Sequence, residues 1–112
     1  MKVKEIVEAL NLKLLAGESG LSKEVKGAYI CDLLSWVMSH AKNNDAWITI
    51  QTHPNVIAVA ALVNLSCIIV PENAEVEKTT IDKANEESIP LLISNDSGYK
   101  IGCMLYDIIK DE

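Results

Sequence analysis

Residues 46–71 read Ala46-Trp47-Ile48-Thr49-Ile50-Gln51-Thr52-His53-Pro54-Asn55-Val56-Ile57-Ala58-Val59-Ala60-Ala61-Leu62-Val63-Asn64-Leu65-Ser66-Cys67-Ile68-Ile69-Val70-Pro71. Trp, Ile and Thr content makes Ala46 to Thr52 a strand. Asn55 to Leu65 is apolar all round and alanine-rich, which predicts a buried helix lying tight against a sheet or a partner. Cys67 to Val70 is an apolar run of strand length stopped by Pro71, the pattern of a strand buried on both faces. Strand, helix and buried strand in that order argue for an α/β fold with a largely parallel sheet.

The same alternation extends in both directions. Val3, Ile6, Val7 and Leu10 recur at helical spacing, with Asn11 as the stop. Leu12 to Leu15 reads as a brief strand, Gly17 to Gly20 as a turn, and Val25 to Ile30 as irregular or strand-like. From Leu33 the helical period returns, with Leu33, Leu34, Val37, Met38 and Ala41 on one arc and Asp32 placed as N-cap. Downstream, residues 75 to 87 form a polar helix with a stripe of Val76, Thr80, Ile81 and Ala84. Ile89 to Ser94 is a strand with Pro90 near its start, and Ser97 to Ile109 is a closing helix. The expectation is one three-layer α/β domain over residues 1–112, its central sheet of four to five short strands largely parallel or mixed and flanked by helices.

Composition narrows the functional classes. The apolar fraction is 49% but the aromatics are two Trp and three Tyr with no Phe, so the core is aliphatic. Residues 1–65 hold six acids and six lysines, net 0, whereas residues 66–112 hold ten acids and four lysines, net −6; arginine is absent. Nucleic-acid binding needs clustered positive charge and is excluded. The apolar run from Val56 to Val70 is too short to span a bilayer, so no membrane partner is expected, and the lysine-bearing N-terminus leads into an amphipathic pattern, not a signal peptide. Cys31, Cys67 and Cys103 form no C-x-x-C pair and fit buried thiols of a cytoplasmic protein. Their spacing of 36 is not a repeat, because the flanking residues share no register.

Several chemical motifs fail on inspection. Gly17 and Lys23 match two positions of a P-loop, but Ser22 stands where the second glycine is needed and Glu24 where a magnesium-binding hydroxyl is needed. Cys31, His40, His53 and Asp32 lack the context of an activated nucleophile, and two histidines without clustered carboxylates fall short of a metal site. No catalytic residue, metal or cofactor is assigned, and the protein is read as a non-enzyme.

The informative segment is Thr49 to Asn55. On an extended strand Thr49, Gln51 and His53 share one face, and Pro54 holds His53 extended beside a helix that Asn55 can cap. That places polar side chains at a strand's carboxyl end beside a helix N-terminus, where α/β proteins receive anions. Two arrangements fit: a ligand-binding row of Thr49, Gln51, His53 and Asn55, joined by Asp32 and Ser35, or a solvent-facing edge strand with Asp32 as a simple cap. Gly98 with Gly102 and Tyr99 with Tyr106 line the last helix and fit either close packing within the domain or a homodimer contact.

The segments Val25-x-Gly27-x-Tyr29-x-x-Asp32-Leu33-Leu34-Ser35, Trp47-Ile48-Thr49-Ile50-Gln51-Thr52-His53-x-Asn55-x-x-Ala58-Val59-Ala60, Ile89-Pro90-Leu91-Leu92-x-Ser94 and Leu105-Tyr106 resemble the DRTGG domain family. The family is similar to the N-terminal domain of HPr kinase/phosphorylase. It recurs beside CBS domains in some inorganic pyrophosphatases and attached to phosphate acetyltransferases. The resemblance implies an α/β regulatory or dimerising module without the catalytic P-loop domain; the family name records an arginine that this chain lacks. Two functions follow as expectations: a homodimeric regulatory module that binds a small anion such as an adenine nucleotide, or a ligand-free adaptor for an enzyme or histidine kinase in redox or carbon signalling, docking through its apolar helix and acidic second half.

Overall fold

The computed structural model describes residues 1–111. The decisive stretch folds as β3 (Asp45–Ile48), α3 (Asn55–Val63) and β4 (Cys67–Val70). Before it come α1 (Val3–Ala9), β1 (Lys13–Ala16), a 3₁₀ turn at Glu18–Gly20, β2 (Gly27–Ile30) and α2 (Leu34–His40); after it come α4 (Lys78–Glu87), β5 (Leu91–Ile93) and α5 (Gly98–Ile109). The five strands form a single mixed sheet in the order β1-β5-β4-β3-β2. β2, β3, β4 and β5 are mutually parallel, and β1 closes one side antiparallel to β5 with a bulge between Leu14 and Ala16.

Each step from β2 to β5 moves one place in the same direction, so right-handed crossovers put α2, α3 and α4 on one face. Strand alternation then builds two cores. Trp47, Ile68, Val70, Leu91 and Ile93 meet Val37, Val56, Ile57, Ala60 and Ala84 from those helices. Ala46, Ile48, Cys67, Ile69 and Leu92 point the other way, onto Val3 and Ile6 of α1 and Ile101 and Leu105 of α5. This is the expected three-layer α/β architecture, with β4 wholly buried.

Four local readings differ. β3 stops at Ile48 and does not run to Thr52, because the Asp32 carboxylate takes the Thr49 hydroxyl and the Ile50 amide. Asp32 therefore does not cap α2, whose N-cap is Leu33 without a side-chain bond. Along α2 only Val37 is buried while Leu33, Trp36 and Met38 are exposed, since a helix over the sheet's outer edge has neighbours on one side only. α3 also exposes part of its apolar surface, Leu62 at 73%.

Gly17 shows why the glycine-rich turn is structural. Its φ is +77°, and a Cβ there would lie 2.0 Å from the Ile89 carbonyl oxygen. Its amide donates to Asn85 Oδ1 at 2.8 Å, tying the end of β1 to α4. The two glycines of α5 face their own sheet: a Cβ on Gly102 would meet Ile30 Cδ1 at 2.9 Å, and one on Gly98 would meet Ile48 Cγ2 at 3.7 Å. Close packing within the domain thus accounts for them.

Candidate functional site

Four parallel strands end on one edge of the sheet, and their following loops are bonded to one another. Thr49 N donates to Ile69 O at 3.1 Å, Ser94 N to Val70 O at 2.9 Å, and Glu72 N to Asp96 O at 2.9 Å. Thr80, fully buried at the start of α4, donates its hydroxyl to Thr52 O at 2.6 Å. A carboxyl edge built this way is held in register and can present side chains in fixed positions. Within it, Glu72 and Asn73 both have positive φ, and Ala74 N donates to Pro71 O, the arrangement of a tight I′ turn.

The predicted residues take distinct roles here. Thr49 is buried at 1% exposure; its Oγ1 donates to Asp32 Oδ1 at 2.8 Å and accepts from Gln51 N at 3.2 Å. Asp32 Oδ1 also accepts from Ile50 N at 2.9 Å, so one carboxylate oxygen joins the β2–α2 loop to the β3–α3 loop. Trp47 Nε1 donates to Cys31 O at 2.8 Å and fixes the residue before Asp32. Gln51, His53 and Asn55 have exposed side chains on the loop and first helical residue, not on a strand face. Ser35 is exposed in the first turn of α2, and its carbonyl accepts from Ser39 Oγ at 3.2 Å.

The start of α3 is capped internally. Pro54 occupies the N-cap, and Asn55 is the first helical residue, not the cap. His53 supplies the cap, its Nδ1 accepting from Asn55 N at 3.1 Å and its carbonyl accepting from Val56 N at 3.0 Å. Ile57 N turns to Pro54 O at 3.0 Å. These amides are spent within the chain, and with Nδ1 an acceptor, Nε2 is the ring's donor. The edge thus offers a carboxylate, two amide side chains and an imidazole, a set matched to hydroxyls, amines and ring nitrogens more than to a naked phosphate.

The remaining chemistry-bearing residues are dispersed. His40 ends α2 at the opposite edge of the sheet, stacked on Trp36 at 3.9 Å between ring centroids. Cys31 is half-buried, Cys67 buried and Cys103 exposed. Burial pushes the Cys67 thiol up to about 12, with Lys23 pulling weakly the other way, so this sulfur is inert. Among the described residues no group of three or more His, Cys, Asp or Glu could hold a metal ion, and no helix is long and apolar enough to cross a membrane. Sequence reasoning did not single out Thr52, Thr80 or the Glu72–Asn73 turn; Thr80 reads as one more member of an apolar stripe.

The DRTGG domain family matches residues 5–107. No curated protein matches the chain. Among solved structures, the chain is similar to the crystal structure of the CBS and DRTGG domains of the regulatory region of Clostridium perfringens pyrophosphatase complexed with activator, diadenosine tetraphosphate, with TM-score 0.73 and 13% identity. The likeness covers 93% of this chain and 45% of that one, so the chain spans under half of its neighbour's length; at this identity it is a likeness of fold.

Proposed function

The chain belongs to the DRTGG domain family, and on that premise we propose that it is a non-catalytic, cytoplasmic regulatory module that works as a homodimer and senses an adenine nucleotide at the carboxyl edge of its sheet. The observation that carries this reading is the Asp32 clamp on Thr49 and Ile50, which holds two loops together while leaving Gln51, His53 and Asn55 exposed around it. Gln51 and Asn55 have the paired donor and acceptor that an adenine edge requires, and Asp32 can accept from ribose hydroxyls. The phosphates of such a ligand lie toward solvent, since the first α3 amides are occupied. The neighbouring pyrophosphatase region is complexed with a diadenosine activator, which supports an adenine compound as the ligand class. The regulated partner is an enzyme, and the similarity to the HPr kinase N-terminal domain belongs to the same proposal.

The test is an amide chemical-shift titration with AMP, ATP and diadenosine tetraphosphate. Shifts confined to the loops after β2 and β3 support the site; no saturable shift there with any of them removes it. An adaptor for an enzyme or kinase is the second reading, favoured by Leu62 standing 73% exposed on α3 and by the net charge of −6 over residues 66–112. It predicts that reversing Glu75, Glu77 or Glu86 weakens partner capture while His53→Ala does not.

A further inference from the structure

The two edges of the sheet are unlike. β1 carries a bulge and packs against α4, both of which block further strand pairing. β2 has no bulge, proline or charge within Gly27–Ile30, and among the described residues no strand lies beyond it. Cys31 N donates to Ile48 O, and Ile30 is in register with Ile48, so alternation turns the peptide groups of Gly27 and Tyr29 toward β3 and those of Ala28 and Ile30 outward. Beside this open edge lies a groove of about 890 Å³ between β2 and α5, lined by the small Ala28 and Gly102 and by Ile30, Tyr99 and Tyr106 among others. Those last three are 56%, 83% and 63% exposed. The charged residues of the lining, Asp107 and Lys110, answer each other at 3.6 Å, so the groove selects for apolar groups.

The size of this surface decides what fits it. A strand of four residues is about 13 Å long and a helix about 10 Å wide, so edge and groove together offer on the order of 200 Å². A stable interface between two folded chains takes about 800 Å² from each. A folded partner would need most of its contact elsewhere, whereas one extended segment uses what is here: main-chain bonds to the edge and room for alternate side chains. We propose that β2 captures an extended segment of a partner protein by strand addition, the segment carrying apolar side chains two residues apart. The residues set opposite Ala28 and Ile30 are two apart, so both side chains turn to the α5 face and enter the groove. This surface is separate from the loops after β2 and β3, so the capture goes beyond the ligand reading above and depends neither on it nor on the homodimer.

Selection of a random heptapeptide library on the immobilised protein supplies the probe. Fluorescence anisotropy then measures the enriched peptides on the wild type, Ala28→Pro, Ile30→Lys and Leu62→Lys, with circular dichroism to verify folding. Ala28→Pro removes an outward donor and leaves the β2–β3 ladder intact. The expected peptides carry apolar residues at alternate positions, and their dissociation constant rises at least about tenfold in Ala28→Pro and Ile30→Lys while staying unchanged in Leu62→Lys. Hydrogen exchange on the wild type gives a readout that needs no variant: the Ala28 and Ile30 amides gain protection when the peptide binds. A library without enrichment over the bare support overturns the proposal, and so do peptides that bind while exchange at those two amides is unchanged. Neither result touches the nucleotide titration above, so the two readings fail separately.

Discussion

Asp32 and Thr49, seventeen residues apart, share a hydrogen bond of 2.8 Å in which an exposed carboxylate holds a buried hydroxyl. The same Asp32 oxygen takes the Ile50 amide at 2.9 Å. That pair of bonds ends β3 and converts the next residues from strand to loop. It is the joint on which the candidate site depends.

Thr49→Val deletes the hydroxyl, keeps the shape and leaves Asp32 free to be hydrated. The expected cost is about 1.5–3 kcal/mol, the range for a bond to a charged acceptor. That corresponds to a fall in melting temperature of roughly 6–12 °C. Calorimetry measures it, and an unchanged melting temperature would show that the clamp holds nothing.

Two glycines are expected to respond in opposite ways. Gly17→Ala drives a Cβ into the Ile89 carbonyl at a backbone φ of +77° and should lose roughly 2–4 kcal/mol. Gly98→Ala adds a methyl 3.7 Å from Ile48 Cγ2, ordinary contact at the first position of α5, and should gain about 0.5–1 kcal/mol. Urea unfolding of the two variants beside the wild type checks both signs.

How much was legible in the sequence follows from what decides each element. Cys67–Val70 and Leu91–Ile93 are visible as strands because nothing but burial on two faces suits such runs. Ser97 is visible as the start of α5, and its hydroxyl does accept from Lys100 N. The end of β3 is not visible, because Thr49 to Thr52 has strand composition and only a carboxylate from another loop overrides it. The exposure of Leu33 and Met38 is hidden for a related reason: periodicity reports which helix face is apolar, not how much neighbouring surface the sheet order supplies. Gln51, His53 and Asn55 are recognisable as a polar group, while the role of His53 as the cap needs coordinates.

Cys67 gives a pH dependence with a defined sign. Its thiol is pushed up to about 12 when folded, against 9.0 as the ordinary value, so the unfolded chain releases the proton first. Stability from this group is complete below pH 9 and is lost as pH rises toward about 12, at up to about 1.4 kcal/mol per pH unit. Cys67→Ala removes that alkaline slope while lowering stability at neutral pH through the smaller side chain. Denaturation midpoints from pH 7 to pH 11 compare the two; parallel curves would rule the thiol out as the source.

An adenine compound held at the Asp32 edge is tested most directly by isothermal titration of the wild type and Gln51→Ala with diadenosine tetraphosphate. Gln51 is exposed and only its backbone amide bonds to the clamp, so its side chain can be removed without disturbing the fold. Saturable heat in the wild type, with affinity falling at least about tenfold in Gln51→Ala, is the predicted result, the loss of a hydrogen-bonding partner to the ligand. Absence of heat in the wild type, or equal affinity in the two proteins, would contradict it.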